Sequence, residues 1–299
     1  MPIPTGTEQR LLRAQASLTG RDLRLLGWLY DHGVLTTDQI NTALFGSLTF
    51  CQRRLLKLLA LGVVARFRPQ RWEGGSYPYH YLLDQLGTEI VAAQRREPLP
   101  RRDQARQRRQ HLTSRANLPH LLATNQFFVD LAGHERTHPG SRLIQWRSAS
   151  ALQERGAFFR TGDDPSLMLL TSLPRPDAHG VWAEHDRQVP FLLEMDLGTE
   201  SLTVLANKII NYVRLAEMTR WRWPVLFWLP STRRELNLHH LLTDTDVPDL
   251  VATAAGDHTT ATGQSPAENV WWLHGHHGPR LRLSELPYDD DTTAPVNAS

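Results

Sequence analysis

The 299-residue sequence predicts an α/β chain of the α+β type in two parts: three short helices with a two-stranded wing, then a mixed sheet flanked by helices. The order of helix and strand signals within each part carries this, together with turn residues that fall between them. Charge divides at the same place. Residues 1–118 hold 18 Lys+Arg against 9 Asp+Glu, a net of +9, and the remainder nets −7. A basic N-terminal part before an acidic remainder is the layout of a nucleic-acid reader joined to a second function.

Thr19 precedes an amphipathic run from Asp22 to Asp31, with Leu23, Leu26 and Leu29/Tyr30 on one face. Thr36-Thr-Asp-Gln39 has the spacing of a capping box before Ile40, Ala43 and Leu44. Phe45-Gly46 turns the chain, and Ser47 is the cap of a third helix to about Leu61, with Leu48, Cys51, Leu55, Leu58 and Leu59 inward. Thr49, Arg53 and Lys57 recur every four residues on another face, beside Gln52 and Arg54. A glycine-containing turn before the last of three helices is helix-turn-helix punctuation.

Val63–Phe67 and Tyr79–Leu83 read as strands around a Gly-, Pro- and Arg-containing loop, residues 68–78, and a helix from Gly87 to about Gln94 closes the unit. Residues 1–95 are thus expected to be a winged helix. Such modules place the third helix in the major groove and the wing along the backbone. Gln52 and Arg53 are the candidates for base edges, Lys57, Arg66, Arg68 and Arg71 the candidates for phosphates of double-stranded DNA, and Thr49 is a further DNA-binding candidate on the same helix as Gln52. Residues 96–117 read as a basic linker, partly helical from Arg101: eight arginines lie between Arg95 and Arg115, against two acids.

Residues 118–286 carry the second pattern: a helix Leu118–Glu135, a strand Arg142–Trp146, a strand pair His179–Glu184 and Gln188–Leu197, a helix capped by Thr199 to Met218, and a strand Pro224–Leu229. A helix Ser231–Thr243, a loop Val251–Glu268 and a last strand Asn269–Leu273 follow, and residues 287–299 are expected to be a disordered tail. The order is α-β-β-β-α-β, then α-β, a mixed sheet between helices.

Several function classes fall away. The lone Cys51 permits no internal disulfide and no cysteine-based zinc site, which fits a reducing compartment. No apolar run reaches the roughly 20 residues of a membrane helix, and no signal peptide is visible, so the chain is expected to be cytoplasmic. There is no phosphate-cradling glycine loop, no Ser/His/Asp arrangement and no internal repeat. His274-Gly-His276-His277 has the outline of a metal pair, but its glycines make a turn, and His239-His240 reads as helix surface.

One pattern points to chemistry. Only Lys57 and Lys208 are lysine among 33 cationic residues, so a lysine stands out where a compact, deprotonatable charge is wanted. Lys208 follows Pro176-Asp177 and Glu194-Met195-Asp196. Strand alternation puts Glu194 and Asp196 on one face, and converging carboxylates repel unless a cation neutralises them. Oxygen ligands select Mg²⁺ or Mn²⁺. Asp177 and Glu194 are the expected metal ligands, with Lys208, Asp196 and Tyr212 as catalytic candidates; Tyr212 lies one helical turn beyond Lys208. A helix lysine, a strand-end acid and a Pro-Asp turn are each commonplace alone; their order along the chain is the signal.

Arg175-Pro-Asp177, Phe191–Glu200 and Lys208-Ile-Ile-Asn-Tyr212, with the element order, resemble the PD-(D/E)XK nuclease superfamily and, more narrowly, the replication-relaxation family of actinobacterial plasmids and integrative elements. The resemblance implies a restriction-endonuclease-like core and plasmid DNA transactions such as nicking or relaxation, with replication or transfer proteins as partners. The superfamily's usual lysine two residues after the glutamate is Asp196 here; either Lys208 on the next helix replaces it, or Asp196 is a third metal ligand, or the site has decayed. Two uses therefore stay open: divalent-metal-dependent nicking, or a non-catalytic regulator whose inert core serves homodimerisation or partner binding. A winged helix used only for protein contacts is a third.

Overall fold

The computed structural model describes residues 14–69, 76–101, 103–113, 117–154, 156–157, 174–218, 222–243, 247 and 250–288. It divides into two compact units, residues 1–129 and 130–298. Among the described residues no helix is long and apolar enough to cross a membrane.

The first unit begins with α1 (Gly20–His32), β1 (Leu35–Thr36), α2 (Thr37–Ile40), a π-helical turn Asn41–Phe45 and α3 (Leu48–Ala60). Thr19 and Thr36 form reciprocal capping boxes, whereas Ser47, expected to cap α3, stands at its N-cap without a side-chain hydrogen bond. The Thr19 hydroxyl accepts the Asp22 N–H at 3.3 Å while the Asp22 carboxylate accepts the Thr19 N–H at 2.7 Å, and Thr36 with Gln39 repeats the device. Gly33 at φ 81° ends α1, and Gly46 at φ 68° ends the turn before α3.

β2 (Val64–Phe67) and β3 (His80–Leu83) pair antiparallel, from Val64 opposite Leu83 to Phe67 opposite His80, and β1 takes the other edge of β3. α4 (Gln85–Arg95) follows β3 directly. It passes so close to Val63 that a Cβ on Gly87 would lie 2.0 Å from the Val63 carbonyl oxygen. Gly87→Ala is therefore expected to cost about 1–3 kcal/mol of stability through forced backbone displacement, measurable by urea denaturation. α5 (Gln104–Thr113) occupies the basic stretch, and α6 (Leu118–Thr137) runs across the division between the units.

The second unit holds a six-stranded sheet with strands in chain order, β4-β5-β6-β7-β8-β9. These are β4 (Ser141–Ser148), β5 (Ala178–Glu184), β6 (Arg187–Met195), β7 (Val225–Leu229), β8 (Val251–Ala255) and β9 (Trp272–Leu273). β4, β5 and β6 form an antiparallel meander, β6, β7 and β8 run parallel, and β9 returns antiparallel. The parallel steps need crossovers, supplied by α8 (Leu202–Met218) and α9 (Thr232–Leu242). A short turn of helix, α7 (Ala149–Leu152), follows β4, and α10 (Gly256–Thr262) follows β8. Leu205, Ile209, Tyr212 and Leu215 of α8 and Leu238 and Leu242 of α9 pack on Leu192, Val225, Phe227 and Val251, forming the core on one face.

Five further expectations need correction. Val251–Glu268 is not a loop: it contains β8, all five residues buried, and α10. An inner parallel strand is covered on both faces, so it shows no alternation, and Ala and Thr gave it no apolar signature. The helix expected from Thr199 starts at Leu202, where the Ser201 hydroxyl accepts the Val204 N–H at 3.4 Å. Leu48 is 45% exposed rather than inward, at the first position of α3 before the helix reaches the core. The last strand shrinks to Trp272–Leu273, and His239 is half-buried, stacked on Trp272 at 3.7 Å and hydrogen-bonded to Thr253 at 2.9 Å. Residues 289–299 of the expected tail lie outside the described residues.

Candidate functional site

The register of the second sheet gathers the acids. Asp177 continues the β5 ladder, its N–H donating to the Leu193 carbonyl at 2.9 Å, and its carboxylate accepts the Met195 N–H at 2.8 Å. That places Asp177 beside Glu194 on neighbouring strands, where β6 passes from antiparallel to parallel pairing. The Glu194 side chain lies under α8. Its carboxylate accepts the Tyr212 hydroxyl at 2.5 Å and the Lys208 ammonium at 3.2 Å. Lys208 and Tyr212 are one helical turn apart, so a single face of α8 delivers both donors.

Burial sets the electrostatics. Glu194 is 4% exposed, and this desolvation, with the negative charge of Asp177 added, pushes its pKa up to about 7 against the pull of Lys208 and Tyr212. Burial works against the Lys208 ammonium, yet the Glu194 carboxylate and Glu200, at 3.0 Å, outweigh it and hold its pKa above the ordinary value. The Tyr212 hydroxyl is pushed well above its usual range by burial and by Glu194, so it remains a donor.

Asp196 goes elsewhere. β6 ends at Met195, and the Asp196 carboxylate turns to the Arg234 guanidinium on α9, which bonds both its oxygens, while Asp196 also accepts the Gly198 N–H at 2.8 Å. Arg234 also donates to the Glu200 carbonyl at 2.6 Å, closing the loop between β6 and α8. The structure thus assembles Asp177, Glu194, Lys208 and Tyr212, and gives Asp196 to an arginine. Neither Arg234 nor Glu200 was a sequence candidate. Arg234 stands in the first turn of α9, 38 residues from its partner, so no local pattern could reveal the pair.

Among the described residues no group of three or more His, Cys, Asp or Glu side chains is arranged to hold a metal ion. Two hard carboxylates, Asp177 and Glu194, still suit Mg²⁺ or Mn²⁺, which commonly take one or two protein carboxylates and complete their shells with water and phosphate. The raised Glu194 pKa comes first from burial and second from the charge of Asp177, and a cation at the pair would offset both.

In the first unit, Thr49, Gln52, Arg53 and Lys57 are all exposed along α3. A groove of about 490 Å³ between α3 and the β2–β3 pair is lined by Gln52, Leu56, Arg66, Arg68, Tyr77 and Tyr79. Arg66 and Arg68 both stack on the Tyr79 ring, at 3.8 and 3.9 Å from its centroid. The ring holds two flexible guanidinium groups side by side. Tyr79 was read as a strand residue and nothing more; its role shows only through these contacts. Arg71 lies outside the described residues.

No curated protein and no solved structure matches the chain. The family described as replication-relaxation matches residues 26–226, more than half of the chain and both sets of candidate residues up to Tyr212. With that span shared, the chain belongs to the replication-relaxation family.

Proposed function

We propose that this is a DNA-binding protein of a plasmid or integrative element, acting in its replication, relaxation or transfer. The first unit is read as a winged helix that docks on double-stranded DNA. The second is read as a nuclease-like core that nicks it with Mg²⁺ or Mn²⁺. The family assignment supports the replication setting. The helix and strand order of the first unit, with sheet order β1-β3-β2, supports the winged helix. The observation that carries the catalytic reading is the buried Glu194, beside Asp177 and gripped by Lys208 and Tyr212, at the junction of an α-β-β-β-α-β core.

A divalent ion held by Asp177 and Glu194 would supply polarisation of a phosphate oxygen. The chain's own residues do the rest. Tyr212, 2% exposed, acts through Glu194 by fixing its carboxylate. Lys208 is 37% exposed at its side chain, so its ammonium can hold Glu194 and still face a phosphate or a water at the mouth of the site. Glu200 keeps it charged. Arg234 locks the turn that joins β6 to α8.

The test is nicking of supercoiled plasmid by the full chain in Mg²⁺ or Mn²⁺, with Asp177→Asn and Lys208→Ala as inactive controls that still bind DNA. The use of Asp196 by Arg234 favours a second reading, a regulator whose core is inert and serves dimerisation or partner docking. In that case no metal-dependent nicking appears, and Asp177→Asn leaves replication control unchanged.

Docking makes its own prediction. Arg53→Ala should cost about 1–3 kcal/mol at one base position, and Lys57→Ala should weaken all sequences alike while lowering the salt slope by about one. Fluorescence anisotropy across a salt series separates the two. Affinity that ignores salt would point to a unit that contacts protein alone.

A further inference from the structure

A second polar cluster borders the acidic pair and has no assigned role. Cross-strand partners share a face of the sheet. Arg147 of β4 lies opposite His179 of β5, and His179 opposite Leu192 of β6. Alternation carries that face two residues along to Asp177 and Glu194. Arg147 therefore rises on the same side as the acids, one strand further out.

Its environment is unusual for this protein. Arg54, Arg234, Arg280 and Arg282 each grip a carboxylate. Arg147 is half-buried, and its one hydrogen bond among the described residues is from Nη2 to the Ala151 carbonyl at 3.3 Å. Burial holds its pKa below the ordinary arginine value, against the opposing charge of Glu154. A guanidinium has five N–H donors, so among the described residues most of this one's capacity is unused. Beneath it, His179 is 1% exposed, with its ring against Trp223 at 4.7 Å and both ring nitrogens lacking a hydrogen-bond partner. Buried polar groups are almost always satisfied, and a cluster that is not is commonly completed by a ligand or water.

We propose that Arg147, with His179 as the floor behind it, is an oxyanion-binding arm that takes a backbone phosphate of nucleic acid next to Asp177 and Glu194. This deepens the nuclease-like reading and rests on it. A planar fork matches two phosphate oxygens at once. It also offers a substrate phosphate the positive charge that the two neighbouring acids deny it. A free carboxylate ligand would meet the same acids with a weaker bidentate partner and less charge.

Calorimetric titration of the full chain with thymidine 3′,5′-bisphosphate in EDTA tests the arm without metal. The wild type should bind, Arg147→Gln should bind at least about tenfold more weakly, and Arg147→Lys should fall between them. Mn²⁺ binding, read by electron paramagnetic resonance, should be unchanged in both variants. A wild type that ignores the bisphosphate, or an Arg147→Gln that binds as well as wild type, overturns the proposal. Inorganic phosphate should bind at least about tenfold more weakly than the bisphosphate; equal affinity overturns the assignment to a nucleic-acid backbone. Should Arg147→Gln fail to fold, Arg147→Lys decides, and affinity equal to wild type then counts against the arm. If wild type binds no Mn²⁺, the metal reading of Asp177 and Glu194 fails alone, since the EDTA titration still judges Arg147.

Discussion

Glu194→Gln should lose the proposed metal-dependent nicking by roughly a hundredfold or more and, at pH 8, melt at a higher temperature than the wild type. The two effects share a cause. Glu194 is buried beside Asp177, and its pKa stands at about 7 in the fold against an ordinary 4.5. Folding therefore disfavours the ionised form. Below the unfolded value the group is protonated in both states and costs nothing. As pH rises from there through about 7 the folded protein must surrender a proton it would rather keep, and stability falls. The destabilisation is fully expressed above the folded value and amounts to roughly 3 kcal/mol. Glutamine keeps the shape and the acceptor for Tyr212 but never ionises.

The pH dependence makes the claim checkable. The melting advantage of Glu194→Gln should be present at pH 8 and fade away below about pH 4, where the wild-type carboxyl is protonated in both states. Mn²⁺ at pH 8 should raise the wild-type melting temperature by linkage and leave the variant unmoved. A wild type more stable than Glu194→Gln at pH 8 without metal would mean that Lys208 and Tyr212 already satisfy the carboxylate, and that the site is a structural ion pair. Strain of this kind is retained where a ligand relieves it.

Local signals carried much of this fold because they are local. Thr19 with Asp22 and Thr36 with Gln39 are three residues apart, and both close as capping boxes. Lys208 and Tyr212 stand on one helical turn, so their common face follows from spacing alone, and both reach Glu194. What failed depends on tertiary neighbours. β8 is a strand because β7 and β9 flank it, a fact invisible in Val-Ala-Thr-Ala-Ala. Alternation pairs Asp196 with Glu194, but an arginine from another element decides where that carboxylate goes. Arg147 and His179 meet only through strand register, across the 31 residues between them.

Arg54→Ala should destabilise the first unit by about 3–5 kcal/mol, the cost of leaving a buried charge without its partner. Asp22 is 1% exposed, yet it is ionised in the fold. Burial alone would raise its pKa, but hydrogen bonds from Arg54 and Thr19 outweigh it and hold the group below its usual 3.8. The Arg54 guanidinium donates to both Asp22 oxygens, at 2.8 and 2.5 Å, and so pins α3 to the start of α1. With its pKa lowered, Asp22 contributes stability above the unfolded value, about 4, and that contribution is lost as pH falls through the folded one. Removing Arg54 should reverse the sign. Burial then dominates, the Asp22 pKa rises above the unfolded value, and acidification toward about pH 4 relieves the variant, whereas the wild type weakens only below that. Asp22→Asn in the Arg54→Ala background should recover part of the loss at neutral pH, and a double-mutant cycle by urea denaturation gives the coupling. A cost under about 1 kcal/mol would place the pair in the class of solvent-screened surface bridges. Gln52, Arg53 and Lys57 ride on the same helix, so DNA affinity of Arg54→Ala should recover wherever temperature or pH restores the fold.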